Sequence, residues 1–253
     1  MKRALPAQLL VAVLATPLAA RAYRPFNSTD AAVAEKGQVE VELGPVGVLR
    51  EGSEHWLVAP ALIANWGFAE RFELVLEGKQ FVRIGAADSE PRVRIDENAL
   101  SLKGVLREGR LQEKSGVSIA TEISALLPAI NGESGAGAEA TLIASHRWET
   151  VTVHLNGAIA WTRAHNAGWF TGLIVEGHDA WTVRPVAEVF AEGEETLPVT
   201  VSGLAGLIWR LKEDLSLDAA VRYARAAGVD TAELRAGLTW AFAIGFPSSG
   251  RKP

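Results

Sequence analysis

The chain has 253 residues, a formal net charge of −5, 48% hydrophobic and 22% charged residues, and no cysteine. Hydrophobic and charged residues are finely mixed at a mean hydropathy of +0.12, which excludes disordered, collagen-like and coiled-coil chains. The missing cysteines exclude disulfide scaffolds, thiolate zinc sites and cysteine nucleophiles, and a pI near 5.6 argues against nucleic acid as a partner.

Residues 1–22 read as a cleaved signal peptide. Lys2 and Arg3 form a positive start, Leu5 to Leu18 an apolar stretch, and Ala20-Arg21-Ala22 the small-x-small pattern of a cleavage site. A retained anchor is the alternative, and Pro6 and Pro17 interrupt the run it would need. Cleavage after Ala22 removes three cations and no acid, leaving 22 basic against 30 acidic residues, hence −8. Residues 23–37 are neither alternating nor strongly polar, and read either as a loose periplasmic leader or as a small plug in a barrel mouth. Further on, stretches free of charge such as 55–69 and 236–250 are too short or too interrupted for a spanning helix, which needs about 20 apolar residues.

From Gln38 the period is two. Val39, Val41 and Leu43 alternate with Gln38, Glu40 and Glu42, and the same pattern returns in Phe72, Leu74 and Leu76 against Glu73 and Glu77. It continues through Val151, Val153 and Leu155 against Thr152, His154 and Asn156, and through Leu234, Leu238 and Trp240 against Glu233, Arg235 and Thr239. Turn signals divide residues 38–246 into about twelve strands of the length a tilted membrane-crossing strand requires. They fall near 38–49, 55–67, 71–84, 95–107, 114–127, 135–148, 150–163, 168–176, 180–192, 197–210, 214–225 and 231–246, with a polar tail at 247–253. Tight charged connections such as Phe68-Ala69-Glu70-Arg71 alternate with longer Gly- and Pro-bearing loops such as 86–92 and 128–137. That is the pattern of short periplasmic turns and longer outer loops, and an even strand count returns both termini to the periplasm.

The fold expected is therefore all-β: a single antiparallel transmembrane β-barrel. A soluble sandwich or lipocalin-like barrel shares the alternation, but its strands are usually about 5 to 6 residues long, and twelve strands turned apolar-side-in enclose more space than side chains fill. Trp56, Trp66, Trp169, Trp181, Trp209 and Trp240 fall near strand ends, where interfacial girdles belong. Pro45, Pro60 and Pro185 count against closure unless they sit at bulges.

Arg24-Pro25-Phe26, Thr29-Asp30-Ala31, the segment Val183 to Glu188, Leu217 to Tyr223 and Gly237 to Phe242 together give the mature chain a family likeness. It resembles the outer-membrane family of meta-pathway phenol-degradation proteins or transporters. The resemblance implies a barrel in the outer membrane of a Gram-negative bacterium, linked to uptake of small aromatic or hydrophobic compounds, with no catalytic residues to carry over. Its partners would be outer-membrane lipid and the barrel-assembly machinery, which commonly reads an aromatic at the end of the last strand. Trp240 and Phe242 match in type and outward parity, although Ala243 to Pro253 follow.

By parity the lumen collects Glu40, Glu42, Glu73, Glu77, Glu122, Glu139, Glu188, Asp218 and Glu233 against Lys79, Lys103, Arg147, Arg184, Arg222 and Arg235. Such a wall is either a self-neutralising network of ion pairs or a polar conduit with a weak preference for cations. The function expected is a channel or transporter for small molecules, with a closed structural or surface-interaction barrel without transport as the alternative. A lipid hydrolase is the lesser possibility: Ser145, His154 and Asn156 share the inward face of adjacent strands, a workable nucleophile set. No nucleophile-elbow sequence surrounds Ser145, so catalytic, metal and cofactor sites are not expected. His55, His146, His154, His165 and His178 lack ligand spacing, and no Lys-Ser/Thr pair follows Gly132, Gly135 and Gly137.

Overall fold

A computed structural model describes residues 25–85 and 92–244. The predicted signal peptide, residues 86–91 and the predicted polar tail lie outside the described residues.

Twelve antiparallel strands close on themselves: β1 (Gln38–Glu51), β2 (Glu54–Ala69), β3 (Phe72–Arg83), β4 (Val93–Arg107), β5 (Ser118–Leu126) and β6 (Gly137–Arg147), then β7 (Val151–Trp161), β8 (Ala167–Gly177), β9 (Val183–Glu194), β10 (Thr200–Lys212), β11 (Leu215–Ala226) and β12 (Val229–Ala243). Each strand pairs with its sequence neighbours, and β1 pairs with β12 from Gln38↔Ala243 to Glu51↔Thr231, so no strand edge is left open. We call the end holding Gln38 and Ala243 the near end and the opposite one the far end.

The alternation sets the two surfaces. Ile159, Leu142 and Val201 stand outward at 71%, 58% and 59% exposure, while Glu42 and Lys103 point inward at 0% and 1%. A belt of exposed Leu, Ile and Val this continuous around a closed sheet needs lipid as its solvent, and the molecule is a single antiparallel transmembrane β-barrel. No helix among the described residues is long and apolar enough to cross a membrane; the strands do so. Trp66, Trp181, Trp209 and Trp240 stand outward at the near end and Trp161 and Trp169 at the far end, where amphipathic rings match the headgroup level.

Three sequence expectations change. Trp56 does not join a girdle: it points inward at 4% exposure, packs with Val58 and Phe81, and lies under the guanidinium groups of Arg83 and Arg94 at 4.8 and 4.7 Å. The reason is local. The β2 register shifts between Val58 and Ala61, around Pro60, so parity counted from Trp66 does not carry through to Trp56. Pro45 likewise sits at the register shift between Leu43 and Val46, where an absent N–H removes no ladder bond. Pro185 lies just past the last β8–β9 pair, Glu176↔Val186.

The fifth strand starts at Ser118 rather than 114, because the β4–β5 connection contains a single 3-10 turn, Arg110–Gln112, whose Leu111 is buried. Among the described residues the last strand runs to Ala243, where the Ile244 N–H donates to the Gly37 carbonyl at 2.7 Å; the expected end at 246 lies outside them. Connection lengths also mix more than the sequence implied. The far hairpin β11–β12 is closed by Ala227 and Gly228, with φ of 46° and 87°, a two-residue turn whose twist suits the flanking strands.

Candidate functional site

Inside the barrel the chain crosses its own lumen. Residues 25–37 enter from the near end and lie against the inner wall. Ala31 is fully buried against Ala120 of β5 and Ile143 of β6. Gly67 on β2 makes room for the crossing: a Cβ there would stand 2.2 Å from the carbonyl oxygens of both Ala34 and Glu35.

Lumen side chains hold this segment mainly by its main chain. The Glu188 carboxylate accepts the N–H groups of Asn27 and Ser28 at 2.8 and 2.7 Å. The Asn156 amide accepts from the Thr29 N–H at 3.0 Å and donates to the Thr29 carbonyl at 2.8 Å. Ser145 Oγ accepts from the Ala31 N–H at 2.9 Å and Glu73 from the Ala34 N–H at 2.6 Å. Arg235 donates to the Pro25 carbonyl at 2.8 Å, and Gln112, from the 3-10 turn, to the Ala31 carbonyl at 2.8 Å. Lys103 Nζ stands 3.3 Å from Glu73 and 3.9 Å from Asp30, and donates to Thr29 Oγ1 at 3.2 Å. Buried charge is costly unless paired and hydrogen-bonded, and here segment and wall satisfy each other.

The charged positions read from parity fall into three zones of this interior. Around the segment lie Glu40, Glu42, Glu73, Lys103, Glu188, Asp218, Glu233 and Arg235, all buried; Arg235 pairs with Glu233 at 2.8 Å, and Arg222 reaches the same carboxylate at 3.3 Å. Farther out stand Glu77, Glu122 and Glu139 with Lys79, which pairs with Glu97. Near the opposite rim, Arg147 pairs with Asp179 at 3.0 Å and Arg184 with Glu176 at 3.4 Å. Sequence reasoning missed Glu97, Glu176, Glu192 and Asp30. Glu176 and Glu192 carry plain inward parity with Ile174 and Phe190 and were open to detection; Glu97, at φ 54°, sits at a break in the β4 register that parity cannot follow.

The segment divides the lumen. On its far side is a compartment of about 620 Å³ reaching the far loops, lined among the described residues by nine glutamates, including Glu77, Glu122, Glu139 and Glu192, against Lys79, Lys103, Arg163 and Arg235. Phe26, Ile63, Val75, Leu126 and Phe170 give the same compartment an apolar lining, and Phe170 packs on Phe190 with ring centres 5.5 Å apart. On its near side a smaller space of about 200 Å³ is lined by Glu35, Glu40, Glu70 and Glu108 with Arg71.

The nucleophile set is rearranged. Ser145 Oγ lies 2.8 Å from His154 Nδ1, and His154 Nε2 lies 3.1 Å from Glu176. The third member is therefore Glu176, while Asn156 serves the segment. Ser145 is 1% exposed, its oxygen receives the Ala31 N–H, and it lines neither compartment; a nucleophile must reach a substrate, and this one is covered. Among the described residues no three His, Asp or Glu side chains converge as a metal site.

No protein-family model and no curated protein matches the chain. Solved structures do. An outer-membrane channel from Pseudomonas putida F1 superposes with a TM-score of 0.62 at 10% identity, covering 86% of this chain and 100% of that one. The NanC porin gives 0.58 at 6% identity over 80% and 98%, and the KdgM porin 0.54 at 11% identity over 79% and 98%. KdgM has also been seen in complex with disordered oligogalacturonate. At such identities the likeness is one of fold: this chain shares the closed barrel of outer-membrane channels.

Proposed function

We propose that the chain is a channel of the Gram-negative outer membrane for small molecules, its near end periplasmic and its far end facing out. The observation that carries the reading is the far compartment, which combines an excess of carboxylates with an apolar lining. Field lines from one sign of charge concentrate in a low-dielectric cleft and raise the local concentration of opposite charge. The permeants that fit are small organic molecules with an aromatic or apolar body, cations in preference to anions. An acidic sugar polymer such as the oligogalacturonate of the KdgM complex would meet like charge here. The outward Trp240 and Phe242 of β12, whose rings pack 4.9 Å apart, fit recognition by the barrel-assembly machinery, with outer-membrane lipid around the belt.

One observation favours the alternative of a closed structural barrel: residues 25–37 lie across the lumen, with Ala31 fully buried against Ala120 and Ile143. The experiment that decides is liposome swelling with the purified full-length protein, using small phenols, aromatic amines and sugars, together with reversal potentials in a salt gradient across a planar bilayer. Swelling with aromatic amines and a cation-selective potential support the channel. Clear anion selectivity sinks the cation preference, and absence of any swelling or current leaves the closed barrel.

A further inference from the structure

The wall that holds residues 25–34 reads a peptide backbone. Eight of its hydrogen bonds go to main-chain groups, five to N–H and three to C=O. They come from β3, β6, β7, β9, β12 and the 3-10 turn, so the site is assembled from most of the circumference rather than by one chance contact. Asn156 grips Thr29 at both its N–H and its C=O, the two-point contact by which a side-chain amide recognises extended backbone whatever the residue. Gly172 on β8 makes room for the segment's Ser28 side chain: a Cβ there would lie 2.0 Å from Ser28 Oγ. A wall that served only as filler would meet its plug with apolar bulk. This one instead presents Glu73, Ser145, Asn156, Glu188 and Arg235, each 5% exposed or less, and their buried polar atoms are costly to leave without partners.

We propose that this wall is a binding site for extended oligopeptides, which residues 25–34 occupy in the resting molecule as an intramolecular ligand. The selectivity comes from the contacts. The position of Ala31 must be small, because it packs on Ala120 and Ile143; the position of Asp30 takes an acid, because Lys103 faces it; those of Asn27 and Thr29 take an acceptor oxygen, which Arg235 and Lys103 reach at 2.7 and 3.2 Å; the remaining side chains are read weakly. The inference goes beyond the channel reading and does not require it, since binding is measured apart from current.

The test uses the full-length protein with Ser28→Pro and Ala31→Pro together, which remove two donated N–H groups and leave every wall residue intact. Heat-modifiable migration on gels confirms that the barrel has assembled, and Asp30→Lys, which sets the segment against Lys103, serves as a second variant if the double substitution blocks assembly. The probe is a fluorescent synthetic peptide of residues 25–36, followed by anisotropy in detergent. The variant should bind it saturably and the wild type, already occupied, at least tenfold more weakly. Alanine at the Phe26 and Val33 positions of the peptide should change affinity less than tenfold, whereas N-methylation at the Ser28 and Ala31 positions should weaken it by roughly 100-fold. Asn156→Ala in the variant background should cost about tenfold. Absence of saturable binding to both assembled variants, or binding indifferent to backbone methylation, overturns the proposal. Conductance without peptide binding leaves the channel reading standing and removes this one; peptide binding without conductance does the reverse.

Discussion

Glu188 is the most exposing place to probe the lumen. Its carboxylate is 1% exposed and accepts two consecutive backbone N–H groups, those of Asn27 and Ser28. Hydrogen bonds to a charged group contribute about 1.5–3 kcal/mol each. In Glu188→Ala both donors lose that partner, and water entering the space returns part of the loss, so the net cost to docking residues 25–29 is about 3 kcal/mol, a shift of roughly 150-fold in the closed-to-open equilibrium of that stretch. The barrel itself should be spared, because the backbone pairs Leu204↔Glu188 and Ile174↔Glu188 do not involve the side chain. The assay is single-channel recording in planar bilayers, with heat-modifiability as the control for assembly. The expected result is more frequent openings or a larger mean current with an unchanged gel-shift midpoint. An assembled variant whose current matches the wild type refutes the idea that these two bonds hold the lumen closed.

Gly172→Val should give the same rise in current without touching any charge, since even its Cβ would intrude on Ser28 Oγ at 2.0 Å. Lys103→Met should lower the heat-modifiability midpoint. It strips Glu73 and Asp30 of their cation at 3.3 and 3.9 Å, and breaking a buried pair on one side costs about 3–5 kcal/mol. The triple change Glu77→Gln, Glu122→Gln and Glu139→Gln should pull the reversal potential in a salt gradient toward zero, because three of the carboxylates lining the far compartment lose their charge; an unmoved potential places the ion path elsewhere. Ser145→Ala should leave hydrolysis of short acyl esters at the wild-type background, and a fall below it would restore the catalytic reading of the Ser145, His154 and Glu176 chain.

The barrel is legible because its two solvents write a period of two into every strand: Val39 and Glu40, or Leu234 and Arg235, occupy opposite faces wherever the register is unbroken. Legibility fails where one residue is inserted. Counting through the register shifts at Pro45 on β1, at Pro60 on β2 and between Ala99 and Asp96 on β4 reverses the face of every residue beyond the shift on that strand, which is why parity assigns Trp56 to a girdle and passes over Glu97. The lumen-filling segment leaves a different kind of trace. Residues 25–36 have no period because they have no regular structure of their own; their partners are wall residues up to 210 positions away, as in Arg235 donating to the Pro25 carbonyl. The small residues Gly67, Gly172, Ala31 and Ala34 are the marks of close approach in the sequence, and nothing local distinguishes them from ordinary strand or loop residues.

A barrel of this circumference has an interior too wide for side chains alone to fill and too narrow to be freely aqueous. Charges placed on such a wall are poorly hydrated, so each needs a partner across the gap. Glu233 finds Arg235 and Arg222, but Glu188 and Asn156 find theirs in the amides of Asn27, Ser28 and Thr29. The crossing segment is therefore part of the electrostatics of the wall and not only an obstruction in it. Anything that draws the segment out must offer these side chains water or another set of amides. Current through the empty lumen and capture of a foreign peptide are thus two competing fates of one vacated wall, and Glu188→Ala should favour the first while weakening the second. The paired Ser28→Pro and Ala31→Pro substitutions should permit both.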